Sequence, residues 1–421
     1  MVTDANLRGR TGGGDAVGAL ALTAPLIVLA WQQGGYHSRT WTQATVGLAC
    51  IGIAALSLRG GFRLNRFEWL MLGALASFAV LLALSAVWSE DPASSIREGR
   101  RAFLYVVALA AFFAVRPGAR SLRLALCGAL TAIVLLSAPV GYANSVGILA
   151  AIAMLLAIEV ATAELGWIRW LAVAALALLP AQLLATSSRG AWLALAAGLV
   201  VRAALPQRSP FLPILAGRLE RFTAIGRIAL AATIAAIAAV IVASPTNPFG
   251  EQRPAYWRVA WHDGEAHPIL GSGAGTYARH WHDERPLPVN VQDAHSLYLE
   301  TFAEIGAAGL LLLVTGLGTP LLVLFRKRAT PAVASLAPAY VAFLVHAGID
   351  WDWEMPLVTL PALACAATLV QSHPRADELH DPSRTRATVT WRGARIRLNA
   401  FRGSLRIAAA TRCFQRISIR S

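Results

Sequence analysis

The chain has 421 residues, of which 56% are apolar and only 14% charged, and its mean hydropathy is +0.55. A soluble domain carries roughly 45–50% apolar and about 25% charged residues, so an ordinary globular protein is excluded. The formal charge of +14 is uneven: residues 372–421 hold eleven Arg against three acids, a pattern that points to an anionic lipid surface and not to nucleic acid.

In chain order, apolar stretches read as membrane-spanning helices at 16–31, 42–58, 68–87, 102–115, 124–140, 143–158, 168–185, 191–205, 228–243, 297–325, 332–349 and 357–371. The alternating strands of a β-barrel are absent. The expected fold is therefore all-α, a polytopic membrane protein of about twelve transmembrane helices. Residues 1–15 form a short N-terminus, 16–243 hold the first nine helices, 244–296 form one large loop, and 297–371 hold the last three. The tail, 372–421, is expected to lack stable structure. The stretch 297–325 is long for one span, which suggests tilt or projection beyond the lipid.

Orientation follows from basic residues in alternate gaps. One set of gaps, which includes the N-terminus, carries seventeen Lys and Arg before the tail is counted, and the other carries nine. Both termini are thereby expected in the cytoplasm and the 244–296 loop outside. The first helix, preceded by Arg8 and Arg10, reads as its own uncleaved signal. Cys50, Cys127 and Cys365 lie in apolar runs and Cys413 in the tail; none has metal-ligand spacing, and no disulfide framework is implied.

The outward gaps hold the chemistry. The 244–296 loop contains five of the nine histidines, together with Arg253, Arg258, Arg279 and Arg285. The run Tyr256–Trp261 can form a short helix with its aromatics at the headgroup level. In Gly271-Ser272-Gly273-Ala274-Gly275, the glycines permit a turn whose N–H groups could cradle a phosphate at Gly271 and Gly273, with plain turn chemistry as the alternative. At the loop's end Asp293 suits a helix N-cap. His295 would then sit in the first turn, where the positive helix end favours a neutral ring fit to act as a base, although an interfacial polar residue would look the same. His280-Trp281-His282 could bind zinc from a strand, but no third ligand is evident, so no metal site is expected.

Arg189, in the turn Thr186-Ser187-Ser188-Arg189-Gly190, reads either as an anion contact or as a side chain snorkelling to lipid phosphate. Arg97, Arg100 and Arg101 share one helical face at i, i+3 and i+4, suited to converging on a polyanion or to an amphipathic surface helix. In Asp350-Trp351-Asp352-Trp353-Glu354, the carboxylates and indoles could bind sugar hydroxyls and ring faces, or form an aromatic belt with solvated acids.

Several of these motifs together resemble a known family. Arg253-Pro254-Ala255-Tyr256-Trp257, the run from His267 to Tyr277, Asp293-Ala294-His295-Ser296-Leu297-Tyr298-Leu299-Glu300 and Glu304-Ile305-Gly306 resemble the signature of the O-antigen ligase and polymerase superfamily. The turn at Ser188-Arg189-Gly190, the connector Gly141-Tyr142-Ala143-Asn144 and Trp88-Ser89-Glu90-Asp91-Pro92 resemble it in the same order. The resemblance implies a GT-C-like glycosyltransferase of the bacterial inner membrane. Such an enzyme passes a glycan from an undecaprenyl-pyrophosphate carrier to an acceptor hydroxyl on a lipid, glycan or protein, with no cofactor. It implies a base at His295 and pyrophosphate contacts at Arg189 and Arg253. Arg97, Arg100 and Arg101 match in location only, and Ser296 stands where the family commonly has Asn. A repeat-unit polymerase differs from a ligase only in its acceptor. A lipid-linked glycan transporter would place its charges at mid-membrane and show internal repeats, neither of which is seen here.

Overall fold

The computed structural model describes residues 4–59, 63–205, 252–326, 330–371, 386–391, 394–401 and 404–407. By its contacts the chain divides into two units, Met1–His373 and Pro374–Ser421. The first is helical throughout its described residues. Eleven of the twelve expected spans coincide with helices, and the twelfth, 228–243, lies outside the described residues.

Among the described residues, six helices are long and apolar enough to cross a membrane: Gly13–Trp31, Ser38–Leu58, Arg66–Val87, Ala143–Ala163, Gly166–Ala185 and Leu297–Phe325. Six candidate spans fall short of the expected twelve, and they are consistent with a multi-pass helical membrane protein. Pro92–Val115 starts ten residues before the expected span because Asp91 caps it, accepting from the Ser94 N–H at 3.1 Å, and Pro92 fits the first turn. The arginines at 97, 100 and 101 therefore ride on the first turns of that helix. The last apolar helix, Pro356–Gln371, is buried from Pro356 to Val370, as a helix apolar on every face should be. Large apolar side chains such as Leu20, Ile53, Trp167, Leu311 and Phe325 stay exposed on the outer helices, where lipid would cover them.

Contacts sort the gaps into the two sets read from the sequence. In one set, Arg116 pairs with Glu68 at 2.6 Å, Arg120 and Arg123 with Glu164 at 2.7 and 3.4 Å, and Arg202 with Glu159 at 2.9 Å. In the other, residues 36–41, 90–101, 275–300 and 354 come together around one cavity. Buried or half-buried carboxylates meeting arginines in both sets satisfy the rule that charge leaves water only when paired.

The large loop is not a polar connector. It forms helices Arg253–Ala266 and Tyr277–Glu284, and its own small core includes Tyr256, Tyr277, Trp281 and Ala294. Tyr256–Trp261 is helical as expected, whereas His280 and His282 stand on a helix and not on a strand. This loop inserts into helix Leu297–Phe325, which breaks at Gly306 with φ +64° and ψ −165°. Only glycine adopts that conformation freely, and a Cβ there would overlap the Ile269 backbone. Loop and helix satisfy each other's freed groups: Ala307 N–H donates to Pro268 C=O at 2.8 Å, and Ser272 and Gly273 N–H donate to Ala303 and Glu304 C=O at 3.1 and 2.8 Å.

The tail corrects an expectation. Within the second unit, Arg386–Trp391, Ala394–Phe401 and Ser404–Ile407 pair as three antiparallel strands in the order first, second, third. Val389 faces Ile396 and Arg386 faces Asn399 in the register. The period-two alternation Arg395-Ile396-Arg397-Leu398 is a strand pattern, which a reading based on arginine count alone passes over.

Candidate active site

The loop helix Arg253–Ala266, the connector before Ala143–Ala163 and the segment after Ala347 meet at Asp350. This carboxylate is fully buried. It accepts from Arg253 Nη2 at 2.9 Å, Tyr142 OH at 2.9 Å and Asn144 Nδ2 at 2.7 Å, and from the Trp351 N–H at 3.0 Å. Asp350 is therefore no solvated acid waiting for sugar. Its four donors fix it as the anchor of Arg253, a charge-assisted arrangement of the strong kind.

His295 lies beside this group. Its ring packs against Tyr256 at 5.2 Å and lies 6.4 Å from Trp351. Nδ1 lies 3.0 Å from the Asp293 carbonyl, and because a carbonyl only accepts, the proton sits on Nδ1 and Nε2 keeps a lone pair. The backbone holds this pose at φ +54°, a left-handed conformation uncommon outside glycine. Helix Leu297–Phe325 is capped by Ser296, whose Oγ accepts from the Leu299 N–H. Asp293 is thus not the N-cap, and His295 precedes the helix. Its pKa is lowered all the same, first by burial, with Arg253 adding to the shift and Asp350 and the Asp293 carbonyl opposing it. Burial, and not a helix end, is what favours the neutral ring here.

A cavity of about 1030 Å³ adjoins this group. Tyr36, one of its lining residues, packs edge-on against Trp351 at 5.5 Å and donates to Gln292 Oε1 at 3.0 Å. Arg97 and Arg101 line the cavity, whereas Arg100 and Arg258 are exposed and do not. Arg101 is buried, bridges Glu98 and Glu354, and reaches Glu354 at 2.9 Å. Desolvation pushes Asp293, on the cavity wall, up to about 6. Oxygens of Asp293, Glu300 and Glu354 lie within 4.8 Å of one another. Two of the three already have protein partners, Glu354 in Arg101 and Glu300 in the Ala294 N–H at 2.7 Å. The spacing 293, 300 and 354 gave no sequence signal of this convergence.

The glycine turn closes the cavity floor, and it is already occupied. Glu304 places its carboxylate in the turn, accepting from the Gly275 and Tyr277 N–H groups at 2.8 and 3.0 Å, while the Ala274 N–H donates to Ser85 Oγ at 2.9 Å. With the Gly273 N–H on the Glu304 carbonyl, Gly271 and Gly273 serve close packing and not phosphate binding. A Cβ on Gly271, at φ +69°, would overlap the Glu304 backbone.

Arg189 stands at the first position of helix Arg189–Ala204, half-buried, after the N-cap Ser188. It does not line the cavity. Its turn nevertheless reaches the Asp350 segment: a Cβ on Gly190 would lie 3.2 Å from His346 Nε2, and His346 Nδ1 pairs with buried Asp352 at 2.6 Å. Asp352 is thus a partner of His346, not a surface sugar contact. The sequence does not mark Tyr142 and Asn144 as site residues, and it offers Asp293 only as a helix cap and Glu354 only as one acid of the 350–354 run. Only the connector motif at 141–144 offered a signal for the first two.

In this multi-pass helical membrane protein, the segment before helix Leu297–Phe325 thus brings His295 together with Arg253 and its anchor Asp350. Residues 173–314, a stretch that includes Arg189, Arg253 and His295, match the family model described as O-Antigen ligase. The family indicates an O-antigen ligase- or polymerase-type membrane enzyme. No curated protein matches the chain.

Proposed function

We propose that the protein is a metal-independent glycosyltransferase of the bacterial inner membrane, with both termini in the cytoplasm and its cavity facing outward. It takes a glycan from an undecaprenyl-pyrophosphate carrier and passes it to an acceptor hydroxyl. The observation that carries this reading is the pose of His295: Nδ1 is tied to a carbonyl, leaving Nε2 as a base beside Arg253.

In the proposed step, the acceptor O–H gives its proton to His295 Nε2 while the oxygen attacks the anomeric carbon. The bond from that carbon to the pyrophosphate oxygen breaks, and the electron pair leaves with the pyrophosphate. Attack opposite the leaving group inverts the centre, and no covalent sugar intermediate is needed. Arg253, held by Asp350, meets the departing charge without reorganising, and Arg189 is assigned the same role from the adjoining turn. The acceptor alone separates ligase from polymerase.

The test is transfer by purified protein from a carrier-linked donor. His295→Ala should lower turnover by about 10²–10⁴ while the protein still inserts and folds. Normal turnover in that variant would place the base elsewhere, with His282 on the cavity wall next in line.

A further inference from the structure

The 1030 Å³ cavity is at the upper end of the roughly 300–1,000 Å³ that holds a drug-sized ligand, so it has room for more than one sugar residue. Seven carboxylates and three guanidiniums line it. The guanidiniums are largely engaged: Arg101 bridges Glu98 and Glu354, Arg279 meets Glu90 at 3.4 Å, and Arg97 accompanies Glu98 at 3.8 Å. Asp91 is held below the usual carboxylate range by the Ser94 hydroxyl and N–H, and so stays ionised. Among the described residues no cation touches Asp293 or Glu300. Arg101, buried in the wall, has an Nε–H that meets no acceptor. A ligand oxygen would satisfy that donor.

This field is wrong for a pyrophosphate, and Arg253 and Arg189 lie outside the lining. It suits polyhydroxyl or amino-bearing rings, which donate hydrogen bonds to carboxylates, with Trp41 and Trp281 adding apolar wall. We propose that the cavity is a glycan subsite selective for sugars bearing hydroxyl, acetamido or free amino groups, and that it turns away sugars bearing carboxylates. This rests on the transfer reading above.

The test is calorimetric titration of the purified full-length protein at low salt near neutral pH, with a tetramer of glucosamine, its N-acetylated form and a tetramer of galacturonate. Both amino-sugar tetramers should bind at least about tenfold more tightly than the galacturonate, because like charges brought together across a desolvated wall are penalised. The chain's net charge of +14 would by itself favour the galacturonate, so overall electrostatics cannot imitate the expected order. Asp293→Asn should narrow the gap severalfold, and Glu90→Gln at the exposed rim should move it the same way without touching the packed interior. Equal or tighter binding of galacturonate overturns the proposal, as does failure of all three to bind, or a gap unchanged in both variants. Because the readout is binding, it stands apart from transfer: an active His295→Ala protein would sink the reaction assignment and leave this preference intact.

Discussion

Replacing Asp350 by Asn changes one atom type and removes the charge on which the arginine depends. In the native protein, Oδ2 takes Arg253 and Asn144 while Oδ1 takes Tyr142 and the Trp351 N–H. The Asn oxygen can keep the Oδ1 partners. Its NH₂ then faces two donors, so two charge-assisted bonds are lost, one of them to a guanidinium that is only 14% exposed. Two such bonds at about 1.5–3 kcal/mol each put the stability loss at about 3–6 kcal/mol, close to the roughly 3–5 kcal/mol usual for breaking a buried pair. Turnover should fall about 10²–10³-fold, the cost of losing one preorganised donor at developing charge. A pH profile separates this from general damage. Asp350 raises the His295 pKa, so its neutralisation should move the acid limb of the profile to lower pH; Arg253 lowers that pKa, so Arg253→Met should move the limb to higher pH. The assay is transfer of a labelled glycan by detergent-purified variants across the acid range, with thermal melts alongside. Opposite displacements are expected. If Asp350→Asn keeps full activity, or if both variants move the limb the same way, the histidine does not feel this pair and the site is wrongly drawn.

In the wild-type protein the acid limb should have its midpoint below the ordinary imidazole value of 6.5, since burial lowers the His295 pKa; a midpoint above that value in a steady-state profile would exclude His295 as the titrating base. Arg189→Lys keeps the charge and loses the planar fork, so activity should drop more than about tenfold, and wild-type activity would make Arg189 a lipid contact only. Gly306→Ala forces a Cβ into the Ile269 backbone at a conformation alanine rarely adopts, and about 1–3 kcal/mol of strain should show as faster proteolysis within 252–296. Cysteine placed at 285 should label in intact cells and at 208 should not; the reverse pattern would invert the proposed orientation.

The helices were legible because apolar runs of bilayer length are rare in chains that fold in water, where one face of a helix must stay polar. The alternate gaps were legible because arginines on one side find glutamates on that same side. Arg116 on Glu68 and Arg202 on Glu159 are such cases. The order of the loop motifs gave His295 and Arg253 their place, but not their partners. Asp350 reads in the sequence as a surface acid among indoles. Its burial comes from Tyr142 and Asn144, more than two hundred residues away in the chain, and no local pattern encodes that approach. The glycine turn misled for a related reason. The Gly275 N–H, with that of Tyr277 just beyond the turn, does meet a carboxyl group, but it is that of Glu304 from the chain's own helix, and the other N–H groups of the turn go to carbonyls and to Ser85.

That occupancy explains why the loop can carry a site at all. A helix broken at membrane depth leaves N–H and C=O groups that lipid cannot satisfy. Here residues 268–273 fill the break at Gly306 with four backbone bonds, and Glu304, two residues earlier, reaches back to hold the glycine turn. Backbone pairing thus joins residues 268–273 to 303–308. Between these segments, Asp293 and His295 are held by side chains: the Ala294 N–H donates to Glu300, and His295 Nδ1 meets the Asp293 carbonyl. In the proposed reaction, a base held in this way keeps its aim at the acceptor hydroxyl that it deprotonates.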